Sequence, residues 1–428
     1  LAKARTRPPS CVPCAPIAVN LGMRVSVALL GGRELASINV RGTSTRRHVC
    51  SRVPGLQGSL LRAARFLYEG VELTEETTLE ALGVEEGSCI HVVFDRRAAE
   101  LVVTASRDRT ARLWSAMSGE CLRTLEGHGG AVTSAAFSPD GALVVTTSWD
   151  KTAKLWDAEE GECVRSLQGH RAEVNSAAFS PDGAMVVTAS SDSTARMWNT
   201  ESGKCGRILQ GHGDSINSVA FSPDGSALLT ASSDFTARLW DAVSGDCMRT
   251  LQYGFSTWVV LCRLAARLGV ANDERFRALP GHREAVLSAV FSPDGKSVLT
   301  ASSDGRAKLW SSDTGECVRT LHRENSGVTS AAFSPDGTLV VSTSSDRTAG
   351  LWSVEPGESS TTLQGHLGLV SSAIFSPDGV LVLTASWDST AKVWNAESGE
   401  CIRTLEGHEN AVNLAAFSPP LQTAGMFV

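Results

Sequence analysis

GHRAEVNSAAFSPDGAMVVTASSDSTARMWN (Gly169–Asn199), continued by TESGKCGRILQ, is one copy of a unit that recurs along most of the chain. Tryptophans fall at 114, 156, 198, 240, 310, 352 and 394, with spacings of 42, 42, 42, 70, 42 and 42; the 70 is one period plus 28 inserted residues. Each unit holds four β-rich runs, here VNSAAF, MVVTAS, TARMW and CGRIL, separated by turn residues. Ser-Pro-Asp-Gly recurs at 138–141, 180–183, 222–225, 292–295, 334–337 and 376–379. Proline presets φ at the second turn position, and glycine accepts the left-handed conformation that closes a hairpin. The shorter turn Ser-x-Asp-x-Thr follows the second run.

Four short strands per period of about 40 residues is the pattern of β-propeller blades. The Gly-His that opens each unit, the Asp between strands b and c, and the Leu-Trp ending strand c closely resemble the WD-repeat propeller family over roughly residues 100–418. That resemblance implies a buried hydrogen-bond network of His, strand-b Ser, Asp and Trp in each blade. The sets are His128/Ser148/Asp150/Trp156, His170/Ser190/Asp192/Trp198, His212/Ser232/Asp234/Trp240, His282/Ser302/Asp304/Trp310 and His366/Ser386/Asp388/Trp394. In the Trp352 unit Arg323-Glu324 replaces Gly-His, so an incomplete network is expected there. The first unit, Leu101–Trp114, lacks strand a, and Gly407–Pro419 is a strand a without b, c and d. Joined, they make a seventh blade in which His408 completes Ser106, Asp108 and Trp114. CIHVVF (89–94) is a rival for the missing strand; the C-terminal segment is preferred because it matches the repeat.

The repetition also weighs against catalysis. Six of the nine histidines occupy the repeated Gly-His position, whereas a catalytic triad occurs once. Cys121, Cys163, Cys205, Cys247, Cys317 and Cys401 share one outer-strand position on successive units, too far apart for disulfides, and are read as reduced packing thiols. Cys11-Val-Pro-Cys14 has no second pair to complete a metal site. Leu-Gly-Gly-Arg (30–33) reads as a hairpin turn and not a phosphate loop. No enzyme activity, cofactor or metal is expected.

Residues 23–95 have a different texture. MRVSVALLGGREL reads as a hairpin, and RFLYEGVELTEETTLEALGVEEGSCIHVVF (65–94) as strand, short helical turn and strand. This segment resembles the ubiquitin-like β-grasp family, less so over 41–63, where the family's helix falls. The expected fold class is therefore all-β, a seven-bladed WD-repeat propeller preceded by a small α+β ubiquitin-like domain. Conjugated members of that family end in Gly-Gly; this chain continues Asp-Arg-Arg-Ala-Ala (95–99), so neither cleavage nor conjugation is expected. Leu30, Leu67 and Val93, with His91, match the family's recognition patch. Two readings are open: docking of ubiquitin-binding or proteasomal proteins, or packing alone.

The d–a and b–c loops project from one face, where the repeat varies most. There Arg107, Arg109, Trp149, Lys151, Phe235, Arg347 and Trp387 are the candidate partner-binding residues, aromatics beside arginines being common hot spots. Propellers that read phosphorylated degrons cluster arginines after the first strand-a valine. Here that position holds Thr133, Asn175, Asn217, Leu287, Thr329, Ser371 and Asn413, which disfavours such recognition. The net charge of −7 gives no general attraction to nucleic acid or anionic membrane, and no run of about 18 apolar residues is present. Residues 1–22, basic and proline-rich, read as a disordered leader, 253–280 as an insertion or a gene-model error, and 419–428 as a tail. A cytoplasmic or nuclear interaction scaffold is expected, linked to ubiquitin machinery or, alternatively, serving signalling, RNA or cytoskeletal assemblies.

Overall fold

The computed structural model describes residues 23–29, 34–40, 49, 64–68, 71–72, 78–85, 88–94, 101–251, 281–322, 327–355 and 361–419. The leader 1–22, the insertion 253–280, Arg323-Glu324, most of 41–63 and the tail from 420 lie outside the described residues, as does Leu30. The chain divides into two compact units, one within residues 1–95 and one holding 96–428.

The first unit contains five strands: β1 (Met23–Leu29), β2 (Glu34–Val40), β3 (Ala64–Tyr68), β4 (Val71–Glu72) and β5 (Cys89–Phe94). They form one mixed sheet in the order β2-β1-β5-β3-β4. β1 and β2 are an antiparallel hairpin, whereas β1 and β5 run parallel, with Ser26 opposite Cys89 and Leu29 opposite Val92. Val49, Phe66, Leu79 and Ile90 are buried.

The second unit is seven four-stranded antiparallel sheets. In the first of them, strand a (Val132–Phe137), strand b (Leu143–Ser148), strand c (Thr152–Asp157) and strand d (Cys163–Gln168) follow one another by hairpins. This is blade 1; blades 2 to 6 contain Trp198, Trp240, Trp310, Trp352 and Trp394. Blade 7 joins Val412–Phe417 to Leu101–Ser106, Ala111–Ser115 and Cys121–Leu125, with Val412 opposite Ser106 and Phe417 opposite Val102. Ser418 clamps the joint, its backbone N–H donating to the Leu101 carbonyl at 2.7 Å and its hydroxyl accepting from the Leu101 N–H at 3.0 Å.

Strand a of each blade lies against strand a of the next, all the way round. Strand b is buried on both faces, which explains its runs of Val, Leu, Ala and Thr in place of alternation. Apolar clusters bridge neighbouring blades: Trp114 of blade 7 packs with Leu383 and Val393 of blade 6, and Trp156 of blade 1 with Val103 and Leu113 of blade 7. Strand d is the outer edge and largely exposed, and the repeated cysteines sit on it. Cys121, Cys163, Cys205, Cys247 and Cys401 are exposed free thiols and Cys317 is half-buried. The reading as packing residues holds for Cys317, which lies against the core cluster of Leu239 and Trp310, and is corrected for the five exposed thiols, whose edge strand has no neighbour on that side.

A chain ending after Asn410 lacks the strand that completes blade 7 and leaves Leu101–Ser106 as an unpaired edge. It is expected to lose the cooperative thermal transition of the intact chain and to aggregate, measured by circular dichroism and light scattering. An unchanged transition would mean that closure does not limit stability.

Candidate interaction face and its supporting network

Among the described residues, six of the seven blades carry one buried polar relay each. In blade 1 the Trp156 indole N–H donates to Thr146 Oγ1 at 2.7 Å, and the same hydroxyl lies 2.8 Å from His128 Nε2. His128 Nδ1 lies 2.8 Å from Asp150 Oδ2. A carboxylate only accepts, so the imidazole proton sits on Nδ1 and the threonine hydroxyl donates to Nε2. Asp150 is filled by further donors: the Gly129 N–H on Oδ2, and the Thr152 N–H and hydroxyl on Oδ1.

The same contacts join His170, Thr188, Asp192 and Trp198; His212, Thr230, Asp234 and Trp240; and His282, Thr300, Asp304 and Trp310. They recur with His366, Thr384, Asp388 and Trp394, and across the closure with His408, Thr104, Asp108 and Trp114.

This corrects one assignment. The hydroxyl between His and Trp is the threonine two residues before the serine expected from sequence. Ser148 instead accepts the Asp150 N–H at 3.0 Å and holds the turn. Both hydroxyls are fully buried on one strand, so spacing alone did not separate them. In blade 5 the tryptophan of the set, Trp352, donates to Ser342 at 2.8 Å; the Arg323-Glu324 position lies outside the described residues.

Burial lowers the pKa of His128, His170, His282 and His366 from 6.5, although the paired aspartate pulls each of them up. Burial works to raise the aspartates, yet the threonine, histidine and backbone donors outweigh it, and Asp192 and Asp388 fall to about 2. A depressed histidine means that the unfolded chain takes up protons first as pH falls below about 6.5. Depressed aspartates act in the same direction at lower pH, below about 4.

The face formed by the d–a and b–c loops is pinned by backbone bonds. The residue after strand b donates to the residue before strand a: Arg107 to Ala411, Trp149 to Ala131 and Trp387 to Leu369, at 2.9–3.0 Å. The equivalent residues of blades 2 to 5 are Ser191, Ser233, Ser303 and Ser345. In ring order blades 6, 7 and 1 are consecutive, and their three large side chains meet. The Arg107 guanidinium carbon lies 4.1 Å from the Trp387 ring centroid and 5.7 Å from that of Trp149. Arg107 Nε donates to Asn413 Oδ1 at 3.3 Å. Trp149 and Trp387 stay 49% and 45% exposed, a large apolar area to leave in water, and Leu367, whose N–H donates to Asp388 beside Trp387, is 83% exposed.

The two tryptophan blades share a second departure from the repeat, Gly130 and Gly368 in the d–a loop. A Cβ on Gly130 would meet the Asp150 nitrogen at 2.8 Å, and one on Gly368 the Asp388 nitrogen at 2.7 Å, so these loops approach more closely than a side chain allows. Sequence reading missed this pairing, although the coincidence of the two glycines with the two tryptophans was visible.

Arg109, Lys151, Phe235 and Arg347 close b–c turns with φ of 71–74°, a conformation unusual without glycine; blade 4 has Gly305 there. Arg109 and Lys151 flank the cluster and are exposed, whereas Phe235 and Arg347 stand on blades 3 and 5, outside it. The backbones of Leu67, His91 and Val93 lie in β3 and β5 of the first unit; their side chains, like Leu30, lie outside the described residues.

The positions weighed for phosphate recognition have another occupation. Thr133, Asn175, Asn217, Thr329, Ser371 and Asn413 each donate to the first strand-a carbonyl of the next blade, at 2.6–2.9 Å. Leu287 has no such donor. On the opposite face, Phe-Ser-Pro of all seven blades lines a cavity of about 670 Å³. Among the described residues no cluster of three or more His, Cys, Asp or Glu is placed to hold a metal, and no helix is long and apolar enough to cross a membrane.

Thr146→Val removes the acceptor of Trp156 and the donor to His128, and is expected to lower stability by about 2–4 kcal/mol, against about 1 kcal/mol for Ser148→Ala. Urea titration measures both, and equal losses would restore the serine to the relay. The thermal midpoint is expected to fall as pH drops from 7 to 5 and to fall further below pH 4, followed by calorimetry. A midpoint that rises on acidification would contradict neutral buried histidines.

The family described as WD domain, G-beta repeat (WD40) matches residues 119–157, 161–199, 203–241, 274–311, 315–353 and 357–395. A short stretch is 52% identical over 44 residues to Nuclear distribution protein PAC1 of Mycosarcoma maydis, 10% of this chain and 10% of that protein. Another likeness, 53% over 38 residues, is to the protein of that name from Cryptococcus neoformans var. neoformans, 9% of each chain. The chain thus spans about a tenth of the curated relatives it matches. With matched repeats over more than half its length and seven sheets in a closed ring, the chain belongs to the WD40-repeat family.

Proposed function

We propose that this chain is a non-enzymatic scaffold that holds a protein partner on the d–a/b–c face of blades 6, 7 and 1. One observation carries the reading: Trp149 and Trp387 remain about half exposed while bracketing Arg107, on a ring whose other four equivalent positions are serine. Tryptophan and arginine dominate the energetics of protein interfaces, and an aromatic pair left in water is an unfavourable surface unless something covers it. The His–Asp pairs offer no competing enzymatic reading, because six of them share one geometry and each is linked through a threonine hydroxyl to a buried tryptophan.

A second module is proposed for the N-terminal unit, a ubiquitin-like domain that contacts ubiquitin-binding or proteasomal proteins. The sheet order 2-1-5-3-4, with its parallel central pair, supports the β-grasp reading. The alternative is a general scaffold without a ubiquitin link. The likeness to proteins named for nuclear distribution covers one repeat's length and bears on the repeat, not on the process.

Affinity capture with the intact chain, a Trp149→Ala/Trp387→Ala variant and a Leu67→Arg variant tests both modules. Partners of the propeller face are expected to vanish with the first variant and persist with the second. Ubiquitin-binding or proteasomal proteins are expected to do the reverse. Identical partners from all three would overturn both assignments.

A further inference from the structure

We propose that the Trp149–Arg107–Trp387 cluster is a clamp for a single carboxylate, carried on a peptide beside an apolar side chain. The inference rests on the proposed interaction face and names what that face reads. The Arg107 guanidinium carbon lies 4.1 Å from the Trp387 ring centroid and 5.7 Å from that of Trp149, and its Nε is held by Asn413. Asn413 is itself fixed, because its Nδ2 donates to the Val132 carbonyl of blade 1 at 2.8 Å. The side chain therefore has its plane and its direction set before any ligand arrives, which removes most of the ordering cost of binding.

What the guanidinium lacks is an acceptor. Among the described residues Arg107 has no carboxylate partner, and its two terminal nitrogens have no hydrogen-bond acceptor. Asp108, its neighbour in sequence, is committed to His408 and Thr110. A planar fork with its terminal donors open and two aromatic rings beside it fits a carboxylate bound through two parallel N–H donors.

The surroundings favour the same ligand. Arg109 and Lys151 add positive charge, against Glu406 and Glu409 as the exposed acids of the adjoining loop. The exposed tryptophan faces offer contact to an aliphatic or aromatic neighbour of the acid. A phosphate dianion is served best by several cations converging directly on it, and this cluster brings in one fork between apolar walls. Blades 2 and 3 show the contrast: there the equivalent Ser191 and Ser233 are engaged by Asn175 and Asn217.

An array of synthetic nonapeptides tests the clamp on the full chain. It pairs each large apolar residue with Asp, Glu, Asn, Gln or phosphoserine, with amidated and free C-termini. Binders are expected to need a carboxylate, from the side chain or from the C-terminus, and the amidated set separates those two sources. In fluorescence polarisation, Glu→Gln in the best peptide is expected to weaken binding about tenfold, and Arg107→Lys by a similar factor because lysine keeps the charge and loses the fork. Ser345→Ala, at the equivalent position of blade 5, is expected to leave binding unchanged. Binders that tolerate Gln, prefer phosphoserine or ignore Arg107→Lys, yet are lost with Trp149→Ala, would sink the clamp and leave the interaction face standing. An array with no binder sensitive to Trp149→Ala or Trp387→Ala would overturn both.

Discussion

Backbone pairing between Val412–Phe417 and Leu101–Ser106 joins segments about 300 residues apart in sequence, and the ring depends on it. Every other blade is built from consecutive hairpins, so its strands find each other locally. The seventh must bring the two ends of the propeller segment together, at a loop-closure cost that local pairing never meets. The reward is that each inner strand gains two neighbours and the array has no open end. The candidate interaction site owes its existence to the same joint. Arg107 comes from the first b–c turn along the chain and Trp387 from the last; the two meet only because blade 7 closes beside blade 6.

The repeat and the site were legible in different ways. The architecture follows from what is constant: the 42-residue tryptophan spacing, the Ser-Pro-Asp-Gly turns and the orphan strand at the end together imply seven four-stranded units. The candidate site follows from what varies, because residues that break a near-identical repeat are free of its packing role. Variation alone brings in Phe235 and Arg347 beside the two favoured positions, Trp149 and Trp387. Circular order separates them, since only blades 6, 7 and 1 place large side chains at adjacent positions. The relay shows the opposite failure. Thr146 and Ser148 both stand at positions that hold a hydroxyl in every blade, and both are buried, so only the distances to His128 and Trp156 decide which one joins them.

A second ring of polar contacts lies inside the first. Six blades send a hydroxyl or amide from the second residue of strand a to a carbonyl of the following blade. These side chains are committed to holding neighbours together, which leaves recognition to the b–c turns one layer outward. Asn413 serves both layers at once: its amide nitrogen ties blade 7 to blade 1, and its amide oxygen holds Arg107. The break at Leu287 falls between blades 4 and 5, on the arc that carries serines.

Glycine placement completes the argument that the tryptophans are built in rather than incidental. In blades 1 and 6 the b–c turn backbone comes within the radius of a missing Cβ at Gly130 and Gly368, so the turns that carry Trp149 and Trp387 sit deeper against the d–a loop. Blades 2 and 3 carry Ala172 and Asp214 at that position; their carbonyls accept from Ser190 and Ser232, and the turn residues there are serines. Glycine costs conformational entropy in the unfolded chain and contributes no contact of its own. Its appearance in the two blades with exposed tryptophans, and in neither of those two serine blades, ties the loop geometry to the side chain it presents. Changing either tryptophan would therefore leave a close-packed turn without the group it positions.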